Sequence, residues 1–380
     1  MARLGDIGKI ITGNTPKTSE TLNYSSNDIC FIKPSDILDG EITVINDSEF
    51  YISNHARDKA RILPPKCVLV TCIGIIGKVA INTVECAFNQ QINAIVPDQS
   101  KCLTEYLAYA IQNKQKEMQD IANAPVVPIL NKTQFSEIEI ELPSVEEQTE
   151  VVAKIRAVDG LIFLRKQQLS KLDELVKSRF IEMFGGVHDS KIYPYKAVKE
   201  LTDVVSGGTP SRDISEYWEE GTIPWVKTTE LQNNIVTEVE EYITEQGLSN
   251  SSAKIVPSGT VLIAMYGQGK TRGMTAYLGI EACTNQACAC ILPSAKINQT
   301  FLWQFFILSY DNLRDMAKGG NQPNLNGNMI KNYPILCPPR ELQEQFAAFV
   351  EHVGKSKLEI QRSLEKLETL KKALMQKYFG

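Results

Sequence analysis

The chain repeats itself. Stretches of its first half return in the same order in its second half, displaced by about 195 residues. LPPKCVLVTCIGIIGKVA at 63–80 answers VPSGTVLIAMYGQGKTRG at 256–273, and FNQQINAIVP at 88–97 answers TNQACACILP at 284–293. TGNTPK at 12–17 answers GGTPSR at 207–212, and ELPSVEEQ at 141–148 answers CPPRELQEQ at 337–345. IEMFG at 181–185 answers QKYFG at 376–380. A unit this long exceeds any solenoid repeat, so two domains in tandem are expected. At 380 residues, the chain has enough length for two buried cores.

Each unit has a mixed part and a helical tail. Apolar runs such as KCVLVTC, QQINAIV and QACACIL, punctuated by Gly and Pro, predict short strands. TEYLAYAIQNKQKEMQDI at 104–121 and TFLWQFFILSYDNLRDMA at 300–317 predict a helical stretch in each mixed part. The tail at 145–184 lacks Pro and has one internal Gly, Gly160. Ser144 and Glu147 fit a capping box, and Gly185 and Gly186 fit a stop. Ile155, Val158, Ile162, Arg165, Leu169, Leu172, Val176, Arg179 and Met183 form a heptad seam; Val350, Val353, Lys357, Ile360, Leu364, Leu367, Lys371, Leu374 and Tyr378 form its copy. Neither helix, each about 60 Å long, can bury its stripe alone. The expected fold is α+β: two pseudo-symmetric domains, 1–142 and 187–339, separated by two long helices, 143–186 and 340–380, packed as an antiparallel coiled coil. The seam cations should lay their stems on apolar surface with the charge in water.

Chemistry of the chain's own is hard to find. AMYGQGKT at 264–271 is a loosened phosphate-loop pattern, yet the repeat partner TCIGIIGKVA has Val79 where a magnesium-binding hydroxyl would sit. No Asn- or Asp-Pro-Pro-aromatic motif of amino-methyltransferases occurs, and no carboxylate pair has spacing that demands acid–base work. The nine cysteines form no C-x-x-C pair and read as buried, reduced thiols, so no metal or cofactor is expected here. No apolar run reaches membrane-spanning length, and MARLGDIGKI lacks a secretory h-region; a cytoplasmic protein without a membrane partner is expected.

Two similar domains held apart by a rod suit double-stranded DNA, whose major groove distinguishes every base pair. Net charge is −5, which argues for help from a partner in holding phosphates. The charge is uneven: 213–246 holds nine acids and one base, and 247–336 holds three acids and seven bases. The fold could place these sets on different faces. Candidate DNA contacts are Lys17 and Arg212 after Thr-Pro turns, the paired Lys33 and Lys227, and Lys78, Lys270 and Arg272 in Gly-containing segments. Gln90 and Gln286 suit adenine edges, and Gln322 lies in a loop-like stretch. Trp225 and Trp303 read as core residues.

The whole chain resembles the DNA-specificity subunit of type I restriction–modification systems. Leu4 to Ile7 with its copy LTDV at 201–204, Gly208 to Pro210, IPW at 223–225, Gly77 to Ile81, Asn89–Gln90 with Asn285–Gln286, and LPSVEEQ before a long helix carry the resemblance. TGNTP departs from Gly-Gly-Thr-Pro, and the first domain lacks a lead-in like YPYKAVKE, which predicts a trimmed edge. The resemblance implies two target-recognition domains reading a bipartite, usually asymmetric site, and spacer helices that dock two modification subunits. Those partners would bind S-adenosylmethionine and methylate adenine at N6, and restriction subunits would use ATP and Mg to translocate and cleave. The chain itself would be non-catalytic. The competing reading is a coiled-coil scaffold that joins protein partners without reading DNA.

Overall fold

The alternating apolar runs form the strands at the centre of each domain. The computed structural model describes residues 1–122, 128–267, 269–317 and 324–380. It divides into two compact units, 1–166 with 362–380, and 167–361. Each unit therefore contains one mixed domain and segments of both long helices.

In the first unit a five-stranded sheet runs in the order Gly8–Thr12, Ile92–Pro97, Val68–Thr71, Val79–Asn82, Ile42–Ile45. The second unit repeats that order with Val204–Ser206, Cys288–Ile291, Val261–Ala264, Thr275–Leu278 and Asn234–Val236. In both sheets only the last pairing is parallel. A smaller sheet flanks each: Tyr51–Ile52, Ile29–Ile32, Cys86–Phe88 and Ile62–Leu63 in the first unit, and Glu241–Ile243, Ile223–Val226 and Cys283–Thr284 in the second. At one edge the first unit pairs Ala2–Arg3 with Glu139–Ile140, and the second pairs Tyr195–Ala197 with Pro334–Leu336.

Each expected helical stretch is two helices. Thr104–Asn113 and Gln115–Ile121 break at Lys114, and Gln299–Leu308 and Tyr310–Met316 break at Ser309. The Ser309 hydroxyl donates to the Phe305 carbonyl at 2.7 Å, and its amide is shared between Phe305 and Phe306, so the local turn tightens there. The break brings the second helix against Gly269, Lys270 and Arg272 in the second unit and against Ile76 in the first.

The long helices are Val145–Phe184 and Arg340–Phe379. The Glu147 amide donates to Ser144 Oγ at 3.2 Å, and the Ser144 amide to Glu147 at 3.0 Å, which completes the capping box. Gly185 ends the first helix at φ 78°, a left-handed stop that disfavours a side chain. Every seam position on both helices is buried or half-buried, and exposed residues flank them. Pairing is antiparallel in both units. Lys371 Nζ meets Asp159 at 2.7 Å in the first unit, and Lys357 Nζ meets Asp173 at 2.5 Å in the second. Residue numbers rise on one helix as they fall on the other. These two ammonium groups thus end on carboxylates of the facing helix, half-shielded, rather than reaching into water.

Each mixed domain closes its core with the end of a long helix. In the second unit Phe180 and Phe184 pack with Phe301, Phe305 and Phe346. In the first, the ring of Phe379 on the second helix meets that of Tyr106 tilted, at 5.1 Å between centroids, and the Phe379 carbonyl accepts from Asn113. Trp225 and Trp303 are core residues, 2% and 7% exposed.

All nine cysteines are unpaired; only Cys30 and Cys337 are half-exposed. Burial pushes the thiols of Cys67, Cys72 and Cys283 up to about 11, and those of Cys86 and Cys102 up to about 12. They therefore stay protonated and unreactive. Thiol labelling of the native chain should modify Cys30 and Cys337 first and the rest only on unfolding. Early modification of Cys86 or Cys102, read by peptide mass mapping, would contradict this packing.

Candidate nucleic-acid interface

The Thr-Pro loops leave the first strand of each large sheet. Gly13 and Gly207 lie so close to the neighbouring backbone that a Cβ would sit 2.2 Å from the Asn89 and Thr284 carbonyl oxygens, respectively. Only glycine fits. One residue on, the units differ. A Cβ on Gly208 would meet the Ala253 amide nitrogen at 2.3 Å. Asn14, at the same place, uses its side chain instead: Nδ2 donates to the Lys59 carbonyl at 2.7 Å, and Oδ1 accepts from the Arg61 amide at 2.8 Å. Hydrogen bonds thus fill in one unit a gap that backbone contact closes in the other. This is why TGNTP tolerates its departure.

At the loop tip the two units agree. The Thr15 hydroxyl donates to Gln90 Oε1 at 2.7 Å, and the Thr209 hydroxyl donates to Gln286 Oε1. Both glutamines are exposed. The threonine fixes the amide plane, so each unit offers an oriented polar fork of the kind that reads base edges. Sequence reasoning found the glutamines but not the threonines that orient them; the constant Thr-Pro at equal offset was the available signal.

The paired cations differ. Arg212 Nη1 lies 2.6 Å from Glu241, and its guanidinium stacks 3.6 Å over the Trp218 ring. Lys227 Nζ is 2.6 Å from Glu240 and 3.0 Å from Glu241. Those contacts hold the Lys227 ammonium above the usual lysine range, Glu240 contributing most. Burial pushes the Glu241 carboxyl up, but Arg212 and Lys227 outweigh it and hold it below its ordinary value. The bonus from this pairing is present at neutral pH and lost as pH falls through that lowered value. The acids of 213–246 are therefore not all segregated from the candidate contacts; two of them touch Arg212 and Lys227. In the first unit Lys17 is exposed, and Lys33 Nζ lies 3.0 Å over the Phe50 ring.

The remaining candidates sit on a hairpin. AMYGQGKT leaves the strand Val261–Ala264 and returns as Thr275–Leu278, antiparallel. A phosphate loop needs a helix after the glycines; here a strand follows. Arg314 Nη1 donates to the carbonyls of Gly269 and Arg272 at 2.9 and 3.0 Å, and Tyr310 to that of Lys270 at 2.7 Å. Gln115 and Gln119 do the same for the Ile76 carbonyl in the first unit, each at 3.2 Å. Lys270 is exposed and Arg272 half-buried. Lys78 points inward: its ammonium donates to the carbonyls of Pro34, at 2.7 Å, and Ile37. Gln322 lies outside the described residues. Among the described residues no group of three or more His, Cys, Asp or Glu side chains is arranged to hold a metal ion, and no helix is long and apolar enough to cross a membrane.

Residues 1–174 and 193–372 match the family model for the type I restriction modification DNA specificity domain. The type I restriction enzyme MjaIX specificity subunit of Methanocaldococcus jannaschii is 25% identical over 398 residues, spanning 99% of this chain and 91% of its own. The HindI specificity subunit of Haemophilus influenzae is 34% identical over 149 residues, 38% of this chain and 32% of its own. Among solved structures, a type I restriction–modification S subunit from M. genitalium covers 100% of this chain and 95% of its own at TM-score 0.59 and 13% identity. At that identity the likeness is one of fold.

Proposed function

Because the chain belongs to the type I restriction–modification DNA specificity family, we propose that it reads a bipartite duplex DNA site and docks the subunits that act on it. The observation that carries this reading is the duplicated display of an oriented glutamine, Thr15 with Gln90 and Thr209 with Gln286, on otherwise equivalent sheets. The loops differ around those forks, at Asn14 against Gly208 and Phe50 against Glu241, so the two half-sites differ in sequence. Modification subunits, two per chain, carry S-adenosylmethionine and methylate adenine N6; restriction subunits bring ATP and Mg. Large apolar side chains exposed on the long helices support docking there: Phe163 is 65% exposed, Leu164 51% and Leu358 49%.

Exchanging 187–339 for the matching segment of another family member tests the reading. Adenine methylation mapped across a genome should then change in one half of the recognised site and keep the other half. Change in both halves, or in neither, would refute two independent readers. A complex that assembles yet shows no sequence preference would favour the protein scaffold.

A further inference from the structure

Arg212 is built into its loop more firmly than a phosphate contact requires. Its guanidinium stacks on Trp218 at 3.6 Å and lies 5.0 Å from the Trp225 ring centroid, and the two indoles meet edge to face at 5.0 Å. Both indole N–H groups donate back to the same loop, Trp218 to the Ser211 carbonyl at 3.0 Å and Trp225 to that of Gly208 at 2.9 Å. The loop and the platform under its arginine are therefore one piece. Glu241 takes Nη1, and the side chain is still 51% exposed. A planar fork held by stacking and one carboxylate is already ordered before it meets a ligand, so little entropy is lost on binding.

Charge separates this arrangement from its counterpart. Arg212 and Lys227 are balanced by Glu240 and Glu241. The equivalent stretch of the first unit has Glu49 and Phe50 for those acids. The equivalence is structural as well: Asp36 accepts the amides of Lys33 and Glu49, as Glu230 accepts those of Lys227 and Glu240. Lys33 thus lies over a ring where Lys227 meets two carboxylates, and Lys17 is exposed. A balanced cluster adds little to counterion release, whereas an unbalanced one adds to it.

We propose that Arg212 reads a base edge in the half-site held by the second unit, with the guanine N7 and O6 acceptors as its target. Trp218 and Glu241 are its positioning residues. Lys17, which follows the Thr-Pro turn of the first unit where the second has Ser211, contacts phosphate. The assignment rests on the DNA-reading function proposed above.

The test uses the complex assembled with its modification subunits, duplexes carrying every single-base-pair change in the site, and a salt series. Arg212→Lys keeps the charge but loses the fork. It should reduce discrimination roughly 10- to 100-fold at one base pair of one half-site, with the salt slope unchanged. Glu241→Gln keeps the arginine and its indole platform and should relax the same base pair to a smaller degree. Lys17→Ala should weaken all duplexes alike and lower the salt slope by about 1. Uniform weakening by Arg212→Lys, unaltered discrimination, or relaxation at a different base pair by Glu241→Gln would overturn the assignment. An unaltered complex that binds all duplexes equally would instead sink the DNA-reading function itself. Native tryptophan emission of each variant confirms that the platform has survived.

Discussion

Phe180→Ala should destabilise the second unit by about 3–5 kcal/mol and leave the first unit's core as it was. Phe180 is on the first long helix, fully buried, with four aromatic neighbours at ring-centroid distances of 5.0 to 6.2 Å: Phe184, Phe301, Phe305 and Phe346. Phe301 and Phe305 belong to the mixed domain, and Phe346 to the second long helix. Removal of one ring therefore opens a cavity where three elements meet, and the rings around it cannot all collapse inward. The measurement is unusually selective. All three tryptophans, Trp218, Trp225 and Trp303, lie in the second unit, so indole fluorescence during urea unfolding follows that unit alone. Its midpoint should fall sharply in Phe180→Ala. Phe379→Ala removes the first unit's equivalent of Phe184, since Met375 and Tyr106 stand for Phe180 and Phe301 there. It should leave the indole midpoint near its starting value while weakening the total helical signal. Equal indole shifts in both variants would mean that the two cores unfold together and that the division into units carries no energetic weight.

Much of this architecture could be read from residue spacing. Strand periodicity, the Ser144–Glu147 cap, the Gly185 stop and both seams depend on neighbours within one or two turns of chain, and such relations are written locally. Antiparallel pairing was favoured by the alternation of domain, helix, domain, helix in the repeat, with each helix finding a partner of equal length in the other. Other features depend on residues that meet only after folding. Asp159 and Asp173 carry no mark in the sequence as partners of Lys371 and Lys357. Glu241 reads as one acid in a run of nine until the sheet brings it against Arg212 and Lys227. Lys78 and Lys270 look alike in their glycine-containing segments, yet one ammonium donates inward to backbone carbonyls and the other side chain is exposed. The helix breaks at Lys114 and Ser309 were missed because neither position has Gly or Pro; the tight turn comes from the packing of the following helix over a hairpin.

On the bipartite reading proposed above, lengthening both helices by one heptad should lengthen the unread interval of the DNA site without changing either half. The seam sets the phase. Seven residues return the apolar stripe to its facing partner, so insertions between Lys166 and Gln167 and between Ser363 and Leu364 keep the helices paired. Those points face each other in the register given by Lys371 with Asp159 and Lys357 with Asp173. That register resists slipping, because a shift strands half-buried charges without partners. Each insert adds about 10 Å of helix, equivalent to roughly 3 base pairs of duplex at most. The interval between methylated half-sites should grow by up to that amount. Five-residue inserts at the same points make the control. They turn the downstream stripe by about 140° off its partner, and the complex should fail to assemble. An active heptad variant that methylates at the original interval would show that something other than helix length sets the gap.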